Sequence, residues 1–190
     1  TNGEKKNYTE TYSFVDGKLK TTIKKDDNSD RVTTTTYSYH NDGKLAKVLV
    51  EEPGNAGQNG QIEKITFVTE TDYTHTGNVI SAAEKRYTKD AQGNKRDGNT
   101  SLTTYTYTFE NENLIKKTES TTDHETTIEY TYDGKNNPNL QNFIKLVKPD
   151  YFISTSGSKN NILTQKTTYK GSHNNDSPYV TEFIHEYTYA

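Results

Sequence analysis

The chain has 190 residues, 23 basic and 26 acidic side chains for a formal net charge of -3, 28% hydrophobic residues, and no Cys, Met or Trp. That balance offers no strong field to a nucleic-acid backbone or an anionic membrane, and the missing cysteine removes disulfides, thiolate chemistry and Cys-based zinc sites. No apolar run approaches the ~18 to 20 residues of a helical membrane span. Leu, Ile, Val and Phe supply only about 17% of the chain, below the ~20% at which disorder enters, but that rule also asks for a high net charge. In their place stand 15 Tyr and 32 Thr, residues that favour a pleated, half-buried surface. The composition predicts β-sheet, and the length predicts a single domain over residues 1–190.

In chain order, runs of period-two alternation each meet a turn signal. Tyr12 and Phe14 precede Asp16-Gly17; Tyr37 and Tyr39 precede Asp42-Gly43; Tyr105, Tyr107 and Phe109 precede Asn111 to Asn113; Tyr130 and Tyr132 precede Asp133-Gly134. Asp-Gly suits a type I′ hairpin turn, because both central residues need positive φ. A second run follows each turn, as in Lys18-Leu19-Lys20, Lys44-Leu45-Ala46-Lys47-Val48 and Leu114-Ile115-Lys116-Lys117. The unit is a β-hairpin that starts equivalently at Tyr12, Tyr37, Tyr105 and Tyr130, with degenerate copies at Tyr73 and Tyr187. Three segments break the pattern. Residues 51–60 are rich in Gly, Asn and Pro and read as a long hairpin loop; residues 89–101 read similarly. The third is an insertion over about 134–160, where Leu140, Phe143, Ile144 and Val147 fall at helical spacing, which predicts a short helix near 140–147 stopped by Pro149. The expected fold is all-β: about eleven antiparallel strands in a meander of hairpins forming a long twisted sheet, with that one short helix.

Tyr37-Ser38-Tyr39-His40-Asn41-Asp42-Gly43-Lys44-Leu45 resembles the YD repeat of RHS-type bacterial surface proteins, and Tyr130-Thr131-Tyr132-Asp133 resembles it too. With Tyr132-Asp133-Gly134-Lys135-Asn136-Asn137-Pro138, Lys159-Asn160-Asn161-Ile162 and the terminal Glu186-Tyr187-Thr188-Tyr189, the chain looks like secreted lipoproteins of uncharacterised function from Bacteroidetes and flavobacteria. The resemblance implies an outer-surface protein, lipid-anchored to the outer membrane or secreted, whose lipidated Cys would lie upstream of Thr1. The start Thr1-Asn2-Gly3-Glu4-Lys5-Lys6, without an initiator Met, agrees with a removed export signal.

Candidate sites are few. The five histidines form no short-range ligand pair, and Asp123-His124-Glu125 sits where a hairpin turn is expected. Asp26-Asp27-Asn28-Ser29-Asp30 and Asn174-Asn175-Asp176 offer oxygen ligands but lack the Gly and terminal Glu of a calcium loop. No nucleophile elbow or phosphate-cradling loop is present. No metal and no cofactor is therefore expected. Tyrosines are the distinctive feature. Those paired in the repeat are expected to fill a core short of aliphatics, whereas Tyr151, Phe152, Tyr169 and Tyr179, in or near the segments that interrupt the meander, are the candidates for a binding patch. The expected function is non-catalytic: a monomeric surface binding or accessory module for a host protein or glycan, with no nucleic-acid partner. The alternatives are a structural or assembly module of an envelope complex, and a carbohydrate-active enzyme or inhibitor.

Overall fold

The computed structural model describes residues 8–27, 31–58, 61–96, 98, 100–137, 149–171 and 178–184. Alternating Thr, Tyr and aliphatic residues form eleven strands: β1 (Tyr8–Val15), β2 (Lys18–Asp26), β3 (Val32–Tyr39), β4 (Leu45–Gln58), β5 (Gln61–Thr76), β6 (Val79–Lys89), β7 (Ser101–Glu110), β8 (Asn113–Ser120), β9 (His124–Asn136), β10 (Asn160–Gly171) and β11 (Tyr179–Ile184). They make one open antiparallel sheet in which each strand neighbours the next in sequence, as the run of hairpin signals predicts. The expected helix at 140–147 lies outside the described residues. Among the described residues the only helical turns are two 3-10 turns, Tyr151–Ile153 and Thr155–Gly157. The chain has two compact units, residues 1–72 with 84–101 and residues 73–83 with 102–190.

In the first unit the core is Leu19, Tyr37, Leu45, Val48, Ile65 and Val68. A β-bulge between Ser13 and Phe14 sets Phe14 opposite Leu19, and one between Ser38 and Tyr39 sets Tyr39 opposite Leu45. The hydroxyl of Tyr39 then donates to the Leu19 carbonyl at 2.8 Å, tying the second hairpin to the first. Asp16 and Gly17 both take positive φ, 50° and 72°, as a type I′ turn requires. The expected I′ turn at Asp42-Gly43 is a different turn: only Gly43 is left-handed, at φ 86°, and its N–H reaches the His40 carbonyl while His40 N–H reaches Lys44.

Residues 51–60 are not a long loop. Strand β4 continues to Gln58 and pairs residue by residue with β5, from Glu51 opposite Val68 to Gln58 opposite Gln61. Two features reconcile Pro and Gly with a strand. The β3 register on β4 ends at Glu51, so Pro53 lies in a stretch paired on one side only, where its missing N–H is tolerated. Gly54 has the ring of Phe67 against it: a Cβ there would stand 2.4 Å from Phe67 Cε2. The 89–101 segment does connect strands, joined by a single bridge between Lys89 and Lys95.

In the second unit the core is Tyr73, Ala82, Tyr107 and Leu114, with buried Asn113, Ser158 and Asn161. The bulge here falls between Thr108 and Phe109, and Phe109 faces Leu114. That register makes Tyr107, not Tyr105, the equivalent of Tyr12 and Tyr37, because the repeat is counted back from the bulge and the turn. Tyr105 lies two residues further out, its ring stacked 6.1 Å from Tyr107 and capped by Lys117. Asp133-Gly134 is likewise not a turn. Strand β9 runs through it to Asn136, because the Asp133 carboxylate accepts N–H bonds from Lys135 and Asn161 and a side-chain bond from Asn161. Desolvation opposes its charge, but those donors hold the Asp133 carboxyl below the usual carboxylate range.

The end of the insertion is fastened to β8. Ser158, 1% exposed, accepts the Leu114 N–H at 3.1 Å, while Tyr132 donates to the Leu114 carbonyl at 2.6 Å and lies 3.1 Å from the Ser158 hydroxyl. Burial pushes the Tyr132 phenol up to about 12. Asn113 and Asn160 exchange two further bonds beside it.

Candidate functional site

The register of β9, β10 and β11 sorts their side chains onto two faces, since successive residues of a strand point to opposite sides. Tyr169 pairs with Thr126 of β9 and Tyr179 of β11; Thr167 pairs with Ile128 and Thr181; Gln165 pairs with Tyr130 and Phe183. These residues, with His124 beyond Thr126, share one face, and none is Asp, Glu, Lys or Arg. The other face takes the intervening residues: Glu125 and Glu129 on β9, Lys166 and Lys170 on β10, Glu182 on β11, with Thr127, Thr168 and Val180 between them. Over residues 124–131 of β9 and their partners on β10 and β11, the charged side chains thus fall on one side, while the neighbouring β8 brings the Lys117 and Glu119 pair to the border of the other, opposite Ile128 and Thr126. The separation continues a pattern legible in each strand, as in Gln165-Lys166-Thr167-Thr168-Tyr169-Lys170, but only the register shows that the neutral sides coincide.

Tyr169 is 43% exposed, Tyr179 67% and Phe183 57%. The His124 ring stacks on Tyr169 with centroids 5.4 Å apart and planes 24° apart, and Tyr179 is the register partner of Tyr169 on β11, so the same face carries an aromatic residue on each of three adjacent strands. Thr121, in the turn before β9, fixes the histidine: its hydroxyl lies 3.0 Å from His124 Nδ1 and accepts the His124 N–H at 3.1 Å. The Asp123-His124-Glu125 cluster therefore begins as a turn and ends as strand, with the imidazole committed to a ring stack. Elsewhere lysines cap tyrosine faces, Lys18 over Tyr39, Lys24 over Tyr8, Lys95 over Tyr87 and Lys117 over Tyr105. Among the described residues no such cap covers Tyr169 or Tyr179.

Of the four aromatic candidates, the structure makes direct cross-strand partners of Tyr169 and Tyr179. Tyr151 and Phe152 are placed elsewhere, in the first 3-10 turn. There Tyr151 donates to the Ser156 carbonyl at 2.7 Å, and Phe152 lies 6.1 Å from the His75 ring. Those turns are fastened near Leu114 and Ile162, whereas Tyr169 lies seven residues farther along β10, about 23 Å at ~3.3 Å per residue. Sequence reasoning missed His124 as a ring partner, and also Phe183 and the threonines of the neutral face, because neighbours across strands carry no signal within one strand. Of the two acidic stretches considered for calcium, Asn174-Asn175-Asp176 lies outside the described residues, as do Asn28, Ser29 and Asp30 of the other.

The first unit carries an open depression of about 600 Å³ lined by Arg31, Pro53, Gly54, Lys64, Ile65 and Asp90. The Asp90 carboxylate is taken up by its own turn, accepting the N–H groups of Gln92 and Asn94, and the Asn94 donors hold it below the usual carboxylate range. A carboxylate bound in this way stabilises a loop and is poorly placed to exchange a proton with a substrate. Comparison of the chain with family models, with curated proteins and with solved structures finds no match.

Proposed function

We propose that this protein is a non-catalytic binding module that holds a host protein or glycan against the neutral face of β9, β10 and β11. We place it at the cell surface, lipid-anchored to the outer membrane or secreted. The observation that carries the reading is the charge-free patch from His124 to Tyr130 on β9 and across its partners on β10 and β11, with Tyr169, Tyr179 and Phe183 exposed on it. A solvated sheet face with no partner has no physical need to exclude charge, and rigid rings anchor a ligand with little conformational entropy to lose. The YD-like hairpins and the Tyr132-Asp133-Gly134-Lys135-Asn136-Asn137-Pro138 motif support the surface location through the resemblance they carry.

The test is a glycan array and a host-serum pull-down, each run with the natural chain and with Tyr179→Ala. Retention that disappears with Tyr179→Ala supports the reading; silence in both, or retention that ignores the substitution, overturns it. The second reading, a structural module of an envelope complex, is favoured by the repeated tyrosine-to-leucine fastening of successive hairpins, Tyr39 to Leu19 and Tyr132 to Leu114. It predicts silence in both assays.

A further inference from the structure

The neutral face has two aromatic levels. Tyr169 and Tyr179 stand opposite each other at one end, and Tyr130 and Phe183, either side of Gln165, stand four residues along, about 14 Å at ~3.4 Å per residue. Between them lies a lane of hydroxyls from Thr167 and Thr181. Rings for stacking and short hydroxyl and amide groups for hydrogen bonding are the two kinds of contact a sugar offers, through its C–H faces and its hydroxyl edges. Ile128 is the one aliphatic side chain here, so the face lacks the enclosed aliphatic and Arg anchors that concentrate energy in protein interfaces. Lys166 and Lys170 point to the opposite side, and the lysine that borders this face, Lys117 of β8 opposite Ile128, is already paired with Glu119 at 3.4 Å, so neither supplies an unengaged cation for an acidic chain.

Resting on the binding reading above, we infer that the ligand is an uncharged linear oligosaccharide lying along β10 and β11, stacked on Tyr179 and Tyr169 at one end and on Phe183 at the other. The threonine hydroxyls meet its equatorial groups in between. The ring stack on His124 fixes Tyr169 from the side away from β11.

Affinity electrophoresis of the purified chain through gels containing laminarin or hydroxyethylcellulose, both neutral, or heparin, which is anionic, tests this. At least one neutral polymer should retard the protein and heparin should not. Tyr179→Ala and Phe183→Ala should each weaken retardation by about tenfold, the equivalent of ~1.4 kcal/mol. Two controls should change nothing: Tyr8→Ala, an exposed tyrosine of β1, and Lys166→Ala on the charged face. Circular dichroism of each variant checks that the sheet is intact. Retardation by heparin that depends on Lys166, or neutral-polymer binding indifferent to Tyr179 and Phe183, overturns the inference. If neither neutral polymer retards the protein while a serum protein is captured in a Tyr179-dependent way, the glycan falls and the binding face stands; if nothing depends on Tyr179, both fall.

Discussion

The first unit and the second use one fastening in two settings. Tyr39 donates to the Leu19 carbonyl, and Tyr132 donates to the Leu114 carbonyl. In the first unit the hairpin containing Tyr39 closes immediately through residues 40–44. In the second, β10 begins only at Asn160, and Ser158 takes the N–H of the same leucine whose carbonyl Tyr132 holds. Burial raises both phenols, Tyr132 to about 12. The end of the insertion is held by a small buried polar cluster of Asn113, Ser158 and Asn161, and the β9–β10 register shifts twice beside it, between Asn160 and Ile162 and between Ile162 and Thr164.

The comparison can be broken in order of effect. Leu114→Ala should cost about 2 to 5 kcal/mol and fall toward the upper end, because Ser158 and Tyr132 pin the surrounding backbone and limit collapse into the cavity. Leu19→Ala should cost less, since it faces Phe14 on the exposed edge strand β1, which can move inward. Urea midpoints of the two variants measure the difference, and equal losses would remove the distinction.

Next, Tyr132→Phe should cost about 1 to 3 kcal/mol, leaving the buried Leu114 carbonyl short of a donor, whereas Tyr39→Phe should cost only about 0.5 to 1.5 kcal/mol. The pH dependence has a defined sign. The folded Tyr132 value is raised above the unfolded ~10, so its contribution is present below pH ~10 and is lost as pH rises toward the folded value of about 12. Alkaline denaturation should therefore be shallower in Tyr132→Phe than in the natural chain.

The hairpin turns differ in the same comparison. Asp16-Gly17 places Gly at its second left-handed position, but the Asn111-Glu112 turn asks Glu112 to hold φ 65°. Relieving that left-handed strain, worth ~1 to 2 kcal/mol, should make Glu112→Gly stabilising by about 1 kcal/mol. The exposed Lys159 ion pair it removes, 3.2 Å, is worth less than that. A thermal melt decides it, and a lower midpoint would mean that the ion pair outweighs the strain.

The smallest expected effect is at acid pH. The Asp133 carboxyl is held below its unfolded value of ~3.9, so its stabilisation is present above pH ~4 and disappears as pH falls through the lower folded value. Asp133→Asn should flatten the acid limb of stability; an unchanged limb would mean that other carboxylates govern it.

Most of the fold was legible in the sequence because its signals are local. Period-two alternation, Tyr before a turn and Leu after it, gave the strands and their order, since neighbours in sequence are neighbours in the sheet. Three readings failed for non-local reasons. Pro53 and Gly54 look like a loop until β5 supplies a partner and the Phe67 ring needs the space at Gly54. Asp133-Gly134 looks like a turn until Asn161 arrives to occupy the aspartate. Tyr105 looks like the start of a repeat until the bulge at Thr108 and Phe109 sets the register from the other end.

Among the candidates for binding, the sequence could nominate Tyr169 and Tyr179 because both stand outside the repeat, but not pair them, and it grouped them with Tyr151 and Phe152. By itself the chain determined that a polar sequence poor in aliphatics would become an ordered sheet, because alternation and turn chemistry act within a few residues. Which rings meet, and that Glu125, Glu129, Lys166, Lys170 and Glu182 share the other side, was decided only by the pairing of strands, since a one-residue shift in register would have reversed the face of every side chain on the shifted strand.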